Sequence, residues 1–163
     1  MTRRYCLERA QLVPRPLDET FSFFAAAENL ETITPDFLCF QITTPLPIAM
    51  HAGTLIDYRL RLFGVPFNWT TRIESFEPNV RFVDTQLRGP YRYWHHLHEF
   101  YEVEQGTLIV DRVHYEMPFG VIGRLTRWLN VRETLDTIFD YRRERIAVLL
   151  GAVEQDQAVS LPV

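Results

Sequence analysis

Apolar and polar positions alternate with period two over two long stretches of the chain, and each stretch folds back on itself. In the second, Trp94, His96, His98 and Phe100 alternate with His95, Leu97 and Glu99, and Asp111, Val113, Tyr115 and Met117 alternate with Arg112, His114 and Glu116. Strand side chains repeat every two residues, so each set occupies one face. With Gln105-Gly106 as a two-residue turn, Phe100 faces Asp111, His98 faces Val113, His96 faces Tyr115 and Trp94 faces Met117, which puts both rows on a common face. The other face then pairs Glu99 with Arg112 and His95 with Glu116, opposite charges suited to water. The earlier stretch behaves alike: Thr54–Leu62 sets Ile56, Tyr58, Leu60 and Leu62 against Asp57, Arg59 and Arg61, and Val65–Ser75 sets Phe67, Trp69 and Ile73 against Asn68, Thr70, Arg72 and Glu74. A Phe63-Gly64 turn brings Leu60 to Phe67 and Tyr58 to Trp69, so the apolar rows coincide again.

The remaining elements follow from punctuation and helical spacing. Tyr5–Val13 has strand character, with neither face cleanly apolar, and Pro14-Arg15-Pro16 stops it. Leu17–Ala27 reads as a helix, with Phe21, Phe24 and Ala25 on one side and Asp18 and Glu19 complementing the dipole in its first turn. A second short helix runs from Glu28 to about Ile33, limited by Pro35, because the residue before a proline avoids helical geometry. Phe37–Thr43 and Arg81–Arg88 complete the strands, and Tyr91–Glu104 and Thr107–Met117 are the arms of the long hairpin. The facing of Arg81–Arg88 is open: a tight Gly89-Pro90 turn puts Val83, Thr85 and Leu87 inside, whereas a loop one residue longer, or a bulge, puts Phe82, Asp84 and Gln86 there. A long helix from about Val121 to Leu150 follows, with Val121, Trp128, Val131, Leu135, Ile138, Phe139, Ile146 and Leu149 as its apolar stripe and Arg142 near the middle of that stripe. One domain over residues 1–151 and a loose tail over 152–163 account for the chain.

The face carrying Trp94 and Phe100 is the one expected inside, and it also carries two histidines and an aspartate. Buried polar groups without partners cost roughly 1–3 kcal/mol each, more if charged, so such a row points to a ligand-filled or wet interior. Composition fits this picture. The 163 residues are 47% hydrophobic and 13% aromatic, and a domain of that length buries roughly 68–70% of its unfolded surface. A net charge of −4 and a pI near 5.7 argue against nucleic acid or an anionic membrane as partner. All 17 basic residues are arginines, so there is no lysine for a Schiff base. Cys6 and Cys39 are expected to be buried free thiols in separate strands, and no apolar run suggests a signal peptide or a spanning helix, which makes a cytoplasmic protein the expectation.

The order of strand, two short helices, six meandering strands and one long helix resembles the helix-grip fold of the START and birch-pollen-allergen-like superfamily (SRPBCC). The local wording is similar to its bacterial ligand-binding and polyketide cyclase/dehydrase-like branch: Pro16-Leu17-Asp18-Glu19-Thr20-Phe21-Ser22-Phe23-Phe24, Glu28-Asn29-Leu30, Arg88-Gly89-Pro90-Tyr91 before Trp94, His96, His98 and Phe100, then Gly106-Thr107, Asp111-Arg112-Val113, Tyr115, Pro118-Phe119-Gly120 and Ile138-Phe139-Asp140-Tyr141-Arg142. The resemblance covers about Tyr5 to Leu150. It implies an α+β fold in which a curved antiparallel sheet of about seven strands surrounds a long C-terminal helix, leaving a deep, mostly apolar cavity that in relatives holds lipids, sterols, isoprenoid quinones or polyketides. It carries over no catalytic residues.

Three functions compete on these residues. In the first, Tyr58, Trp69, Gln86, Trp94, His96, His98, Phe100, Asp111, Tyr115 and Arg142 bind a small, largely hydrophobic ligand of the lipid, isoprenoid, polyketide or aromatic class, the rings as flat walls and the polar groups as orienting contacts. In the second, His98 and Asp111 serve a cofactor-free cyclase or dehydratase as an acid–base pair, Asp111 lying diagonal to His98, with Tyr115 beside His96 stabilising an enolate-like oxygen. In the third, the cavity is vestigial and the chain is a protein-interaction module. Arg142 either meets a ligand carboxylate or Asp111, or snorkels past the sheet edge. His96, His98 and Asp111 are ligand types for a metal, but no fourth ligand is evident and neither cysteine falls nearby, so no metal and no cofactor is assigned. No phosphate-cradling glycine loop, nucleophile elbow or zinc-protease motif is present.

Overall fold

The alternating stretches pair as one antiparallel sheet. The computed structural model describes residues 4–62, 64–117 and 124–153, and within these all side chains except those of 124–130. Seven strands, β1 (Arg4–Val13), β2 (Gln41–Ile42), β3 (Leu55–Leu62), β4 (Val65–Glu77), β5 (Arg81–Arg88), β6 (Tyr93–Val103) and β7 (Gly106–Glu116), lie in the order β1-β7-β6-β5-β4-β3-β2. Helices α1 (Leu17–Ala25) and α2 (Asn29–Thr32) follow β1, and α3 (Arg124–Leu150) follows β7. This is the α+β architecture expected, a seven-stranded curved sheet with a long C-terminal helix and two short ones.

The β3–β4 hairpin has the expected register, Tyr58 opposite Trp69 and Leu60 opposite Phe67. The β6–β7 hairpin does not. Its closing pair is Val103 with Gly106, so Glu104-Gln105 forms the loop, and His98 faces Asp111, His96 faces Val113, Trp94 faces Tyr115 and Phe100 faces Ile109. The cause is Gly106, whose φ of +138° suits the first residue of β7, and whose missing Cβ leaves room for the Val13 carbonyl oxygen at the end of β1. The slip relative to expectation is two residues. It therefore preserves which side chains face inward while changing every partner. On the outer face Arg112 is opposite Leu97, His95 opposite His114 and Tyr93 opposite Glu116. Arg112 still comes within 3.7 Å of Glu99 on the diagonal, and its nearer partner is Glu8 at 2.8 Å.

Other expectations are corrected. Phe37–Thr43 is not one strand: Asp36–Leu38 is a turn of 3-10 helix, Cys39 adopts a left-handed φ of +45°, and only Gln41–Ile42 pairs with β3. Both cysteines are exposed, Cys6 because it alternates with the inward Leu7 on β1 and Cys39 because it sits in that turn. Leu149 is 40% exposed, and the apolar stripe of α3 passes from Ile146 to Leu150 instead. Val121, the Trp128 side chain, Pro118-Phe119-Gly120, the Phe63 half of the β3–β4 turn and the tail beyond Val153 lie outside the described residues.

The core has two main parts on the inner face. Val131, Leu135 and Phe139 of α3 pack with Leu7, Leu60, Trp69, Val113 and Tyr115, while Phe21 of α1 joins Phe82, Phe100, Ile109 and Ile146. Arg9, the one charge pointing inward from β1, stands opposite Asp111 but turns to α3, where it meets Asp136 at 2.6 Å. Among the described residues no helix is long and apolar enough to cross a membrane.

Candidate functional site

Between these two parts of the core a cavity of about 160 Å³ remains. Its walls are mostly apolar: Ile56, Leu60, Trp69 and Ile73 from the sheet, Phe24 and Leu30 from α1 and α2, and Leu135, Ile138 and Phe139 from α3. The charged and imidazole part of the wall is Asp84 of β5 and His96 and His98 of β6, with Arg142 arriving from α3, and Tyr58, Thr71, Asn29 and Thr34 add uncharged polar groups.

The facing of β5 decides the chemistry. Phe82 pairs with His98 and Asp84 with His96, the register of the longer connecting loop, so Phe82 and Asp84 look inward. The side chains of Asp84, His96, His98 and Asp111 then close into one network. His96 Nε2 donates to Asp111 Oδ1 at 2.8 Å, and His98 Nε2 donates to Asp84 Oδ2 at 2.9 Å. His98 Nδ1 lies 2.9 Å from the same Asp111 oxygen but off the line of a hydrogen bond, and His96 Nδ1 stands 3.5 Å from Asp84 Oδ2. Trp94 Nε1 donates to the second Asp84 oxygen at 3.3 Å. Aromatic rings fix the imidazoles: Phe82 stacks on His98 with centroids 4.2 Å apart, and Phe139 meets His96 edge-on at 5.6 Å. The two imidazole centroids are 3.7 Å apart.

Burial acts against every charge in this network, and the partners decide where each charge stays. Desolvation favours the neutral form of His96, and the like charge of His98 adds to it, so its pKa falls. For His98 the same desolvation is outweighed by the contacts to Asp111 and Asp84, and its pKa rises. Burial likewise works to neutralise Asp111, yet the hydrogen bond from His96 and the close imidazole of His98 hold it well below the usual carboxylate range. Asp84 also ends below its ordinary value, burial being overcome by the charges of His96 and His98, the His98 hydrogen bond and the Arg142 guanidinium. These shifts favour ionised carboxylates and, of the two imidazoles, favour the proton on His98 over His96. Burial pushes the Tyr58 hydroxyl far up, so it remains a neutral partner for Thr71 Oγ1 at 3.0 Å.

Of the ten sequence-selected residues, Tyr58, Trp69, Trp94, His96, His98 and Arg142 line the cavity. Asp111 lies one layer behind the histidines, directly opposite His98 rather than diagonal to it. Tyr115 faces Trp94 and stacks on Tyr5, and Phe100 packs against Phe21 and Phe24, so neither reaches the cavity. Gln86 spends its amide on the loop, donating to the Tyr91 carbonyl at 2.7 Å and accepting from the Tyr91 N–H at 3.2 Å. Arg142 does reach inward, its guanidinium 5.1 Å from the Phe139 ring centroid and its buried Nε without a hydrogen-bond partner. Asp84 is the residue whose importance the alternation pattern left open, since one residue of loop length determines whether it faces the histidines or solvent. Tyr91, expected as the first residue of the strand Tyr91–Glu104, instead precedes β6 and caps this end of the cavity beside Trp69 and Trp94.

No family model and no curated protein matches the chain. Solved structures do. Protein CV1439 from Chromobacterium violaceum has a TM-score of 0.68 at 12% identity, over 91% of this chain and 99% of that one. TTHA0849 from Thermus thermophilus gives 0.61 at 18% identity, over 90% and 99% of the two chains. Ara h 8.0201 gives 0.60 at 12% identity, again over 90% and 99%. Identities this low speak for the fold alone, and that fold is the Bet v 1-like helix grip.

Proposed function

We propose that residues 1–151 form a single helix-grip domain, followed by a tail over 152–163, and that it binds a small, largely apolar ligand in its internal cavity. The observation that carries this reading is a largely apolar cavity in which the charged and imidazole groups, Asp84, His96, His98 and Arg142, lie together. A dry core would fill that space, and a general polar cavity would not have walls this apolar. The volume narrows the class. A cavity of roughly 150 Å³ admits a benzene-sized molecule, so about 160 Å³ suits a single aromatic ring or a short isoprenoid or acyl fragment rather than a sterol. In this reading the protein works in the cytoplasm and has the small molecule as its partner rather than nucleic acid or membrane, in keeping with its net charge of −4.

Native mass spectrometry and solvent extraction of the purified protein test this directly, together with thermal shifts in toluene, benzyl alcohol and benzoate. A probe at about 100 times its Kd adds roughly 2.7 kcal/mol, a rise in Tm of about 5–11 °C for a domain of this size. No retained molecule and no shift from any of the three probes would refute the proposal.

A second reading is favoured by one observation: His98 lines the cavity between two carboxylates, Asp84 and Asp111, each with an oxygen 2.9 Å from one of its ring nitrogens, which favour its protonated form. Such a group is a general acid able to protonate a leaving hydroxyl or a developing enolate in a cyclase or dehydratase reaction. Under this reading His98→Ala loses turnover of a cavity-bound polyketide-like substrate and retains its binding. The cavity's open volume weighs against the third reading, a vestigial cavity in an interaction module.

A further inference from the structure

The four groups of the polar network divide their contacts by direction. One nitrogen of each imidazole, His96 Nε2 and His98 Nδ1, turns to Asp111 Oδ1 at 2.8 and 2.9 Å. The other nitrogen of each, His96 Nδ1 and His98 Nε2, turns to Asp84 Oδ2 at 3.5 and 2.9 Å. The Asp84 side is the cavity side, because Asp84, His96 and His98 line the cavity and Asp111 does not. His96 has the arrangement of a metal-binding histidine, one nitrogen toward the Asp84 side and the other hydrogen-bonded to a carboxylate that fixes the ring and its tautomer, and His98 sets its second nitrogen against the same carboxylate oxygen.

The distances agree. One donor atom from each of Asp84, His96 and His98 lies within 4.8 Å of the others. Bonds of about 2.0–2.1 Å to nitrogen and oxygen place adjacent donors roughly 2.9–3.4 Å apart, depending on geometry, close to the 2.9 and 3.5 Å measured from Asp84 Oδ2. Metal binding takes both carboxylates ionised and both imidazoles neutral, a charge of −2 that one divalent cation cancels.

We propose that Asp84 Oδ2, His96 Nδ1 and His98 Nε2 bind one divalent first-row transition metal, zinc or ferrous iron, with Asp111 as the shared carboxylate that orients both rings. Two imidazoles and one carboxylate with positions left open is the donor set such ions accept. The open positions face the cavity, and resting on the binding reading above, they take an oxygen of the bound ligand or water. The competing occupant is a proton: metal entry displaces the one on His98 Nε2 to solvent.

The test uses the whole chain, stripped with chelator and then titrated with Co²⁺, followed by visible absorption and by competition with Zn²⁺. One Co²⁺ per chain is expected, displaced by Zn²⁺, with paramagnetic shifts of the His96 and His98 imidazole resonances in the wild-type protein, a measurement that needs no variant to fold. Asp84→Ala, checked by circular dichroism, loses the Co²⁺ bands, and Asp111→Asn weakens uptake by about 10–100-fold as an orienting residue does. Unmoved His96 and His98 resonances at millimolar Co²⁺ overturn the proposal and assign the site to the proton. Uptake that is unchanged in Asp84→Ala overturns it too, placing the ion elsewhere, such as at the outer-face pair His95 and His114. Benzyl alcohol stabilisation of metal-free protein is scored separately, so a protein that takes the probe and no metal overturns only this inference, and the converse overturns only the binding reading.

Discussion

Replacing Asp111 by asparagine tests the electrostatic account of the polar network. The substitution conserves shape and leaves one acceptor for His96 Nε2, but it removes the charge that faces His98 Nδ1 at 2.9 Å in a site where His98 is 6% exposed. Removing one partner of a buried pair typically costs about 3–5 kcal/mol. His98 keeps Asp84, so the lower end applies, about 3 kcal/mol or a fall in Tm of about 6–12 °C. The cost should depend on pH. The groups facing His98 are Asp84 on β5, His96 on β6, Asp111 on β7 and Arg142 on α3. A histidine whose folded pKa is raised contributes stability in full below its unfolded pKa of about 6.5 and loses it as pH rises through the folded value. Asp111 itself, lowered on folding, contributes above about 3.9 and loses its contribution as pH falls toward its folded value. His96 shifts the opposite way from His98, and because Asp111 raises both histidines, removing it lowers both. The penalty of Asp111→Asn is therefore greatest between about pH 4 and 6.5 and shrinks as His98 deprotonates in the wild type. Urea unfolding of both proteins at intervals from about pH 5 to 9.5, with m unchanged, measures it. A difference below ~1 kcal/mol near pH 5.5, or one that stays constant across the range, would refute the protonated, doubly held His98.

Three further outcomes are expected. Leu135→Ala, at a cavity-lining position only 3% exposed, should cost about 2–5 kcal/mol and admit naphthalene where the wild type admits toluene, as read by thermal shift; equal selectivity in both proteins contradicts the size argument. Arg142→Met should weaken benzoate relative to benzyl alcohol by about tenfold, the value of one charge-assisted hydrogen bond near the buried, unpartnered Nε, and calorimetric titration showing an unchanged ratio removes Arg142 from the site. Gly106→Ala forces a positive φ on alanine, costing roughly 1–3 kcal/mol, and also drives a Cβ into the Val13 carbonyl oxygen, so its unfolding midpoint should fall well below that of an alanine at the open position Gly64.

Much of the architecture was legible because it is local. Alternation over Thr54–Leu62 and Val65–Ser75 fixed both facing and register, as the short turn between them left no other even pairing that matched the two apolar rows. The helical stripe through Val131, Leu135, Phe139 and Ile146 was equally plain, and all four are buried. The strand expected over Phe37–Thr43 failed since its alternation competes with the Asp36–Leu38 turn and the left-handed Cys39, leaving only two residues to pair at the sheet edge. For the site, the inward facing of His96, His98 and Asp111 was readable and their mutual contacts were not. Those required the glycine that starts β7 and the extra residue in the β5–β6 loop, which brings Asp84 beneath both imidazoles.

By itself, then, the order of residues determined which face of each strand is apolar and where the polar groups lie along it, because side-chain direction alternates with every residue and survives any slip by two. Tertiary structure alone decided who meets whom: the pairing of β5, β6 and β7 depends on backbone approach between segments far apart in the chain, such as Val13 against Gly106. From that pairing came the Asp84–His96–His98–Asp111 network, the charges it can hold, and the cavity left beside it under α3.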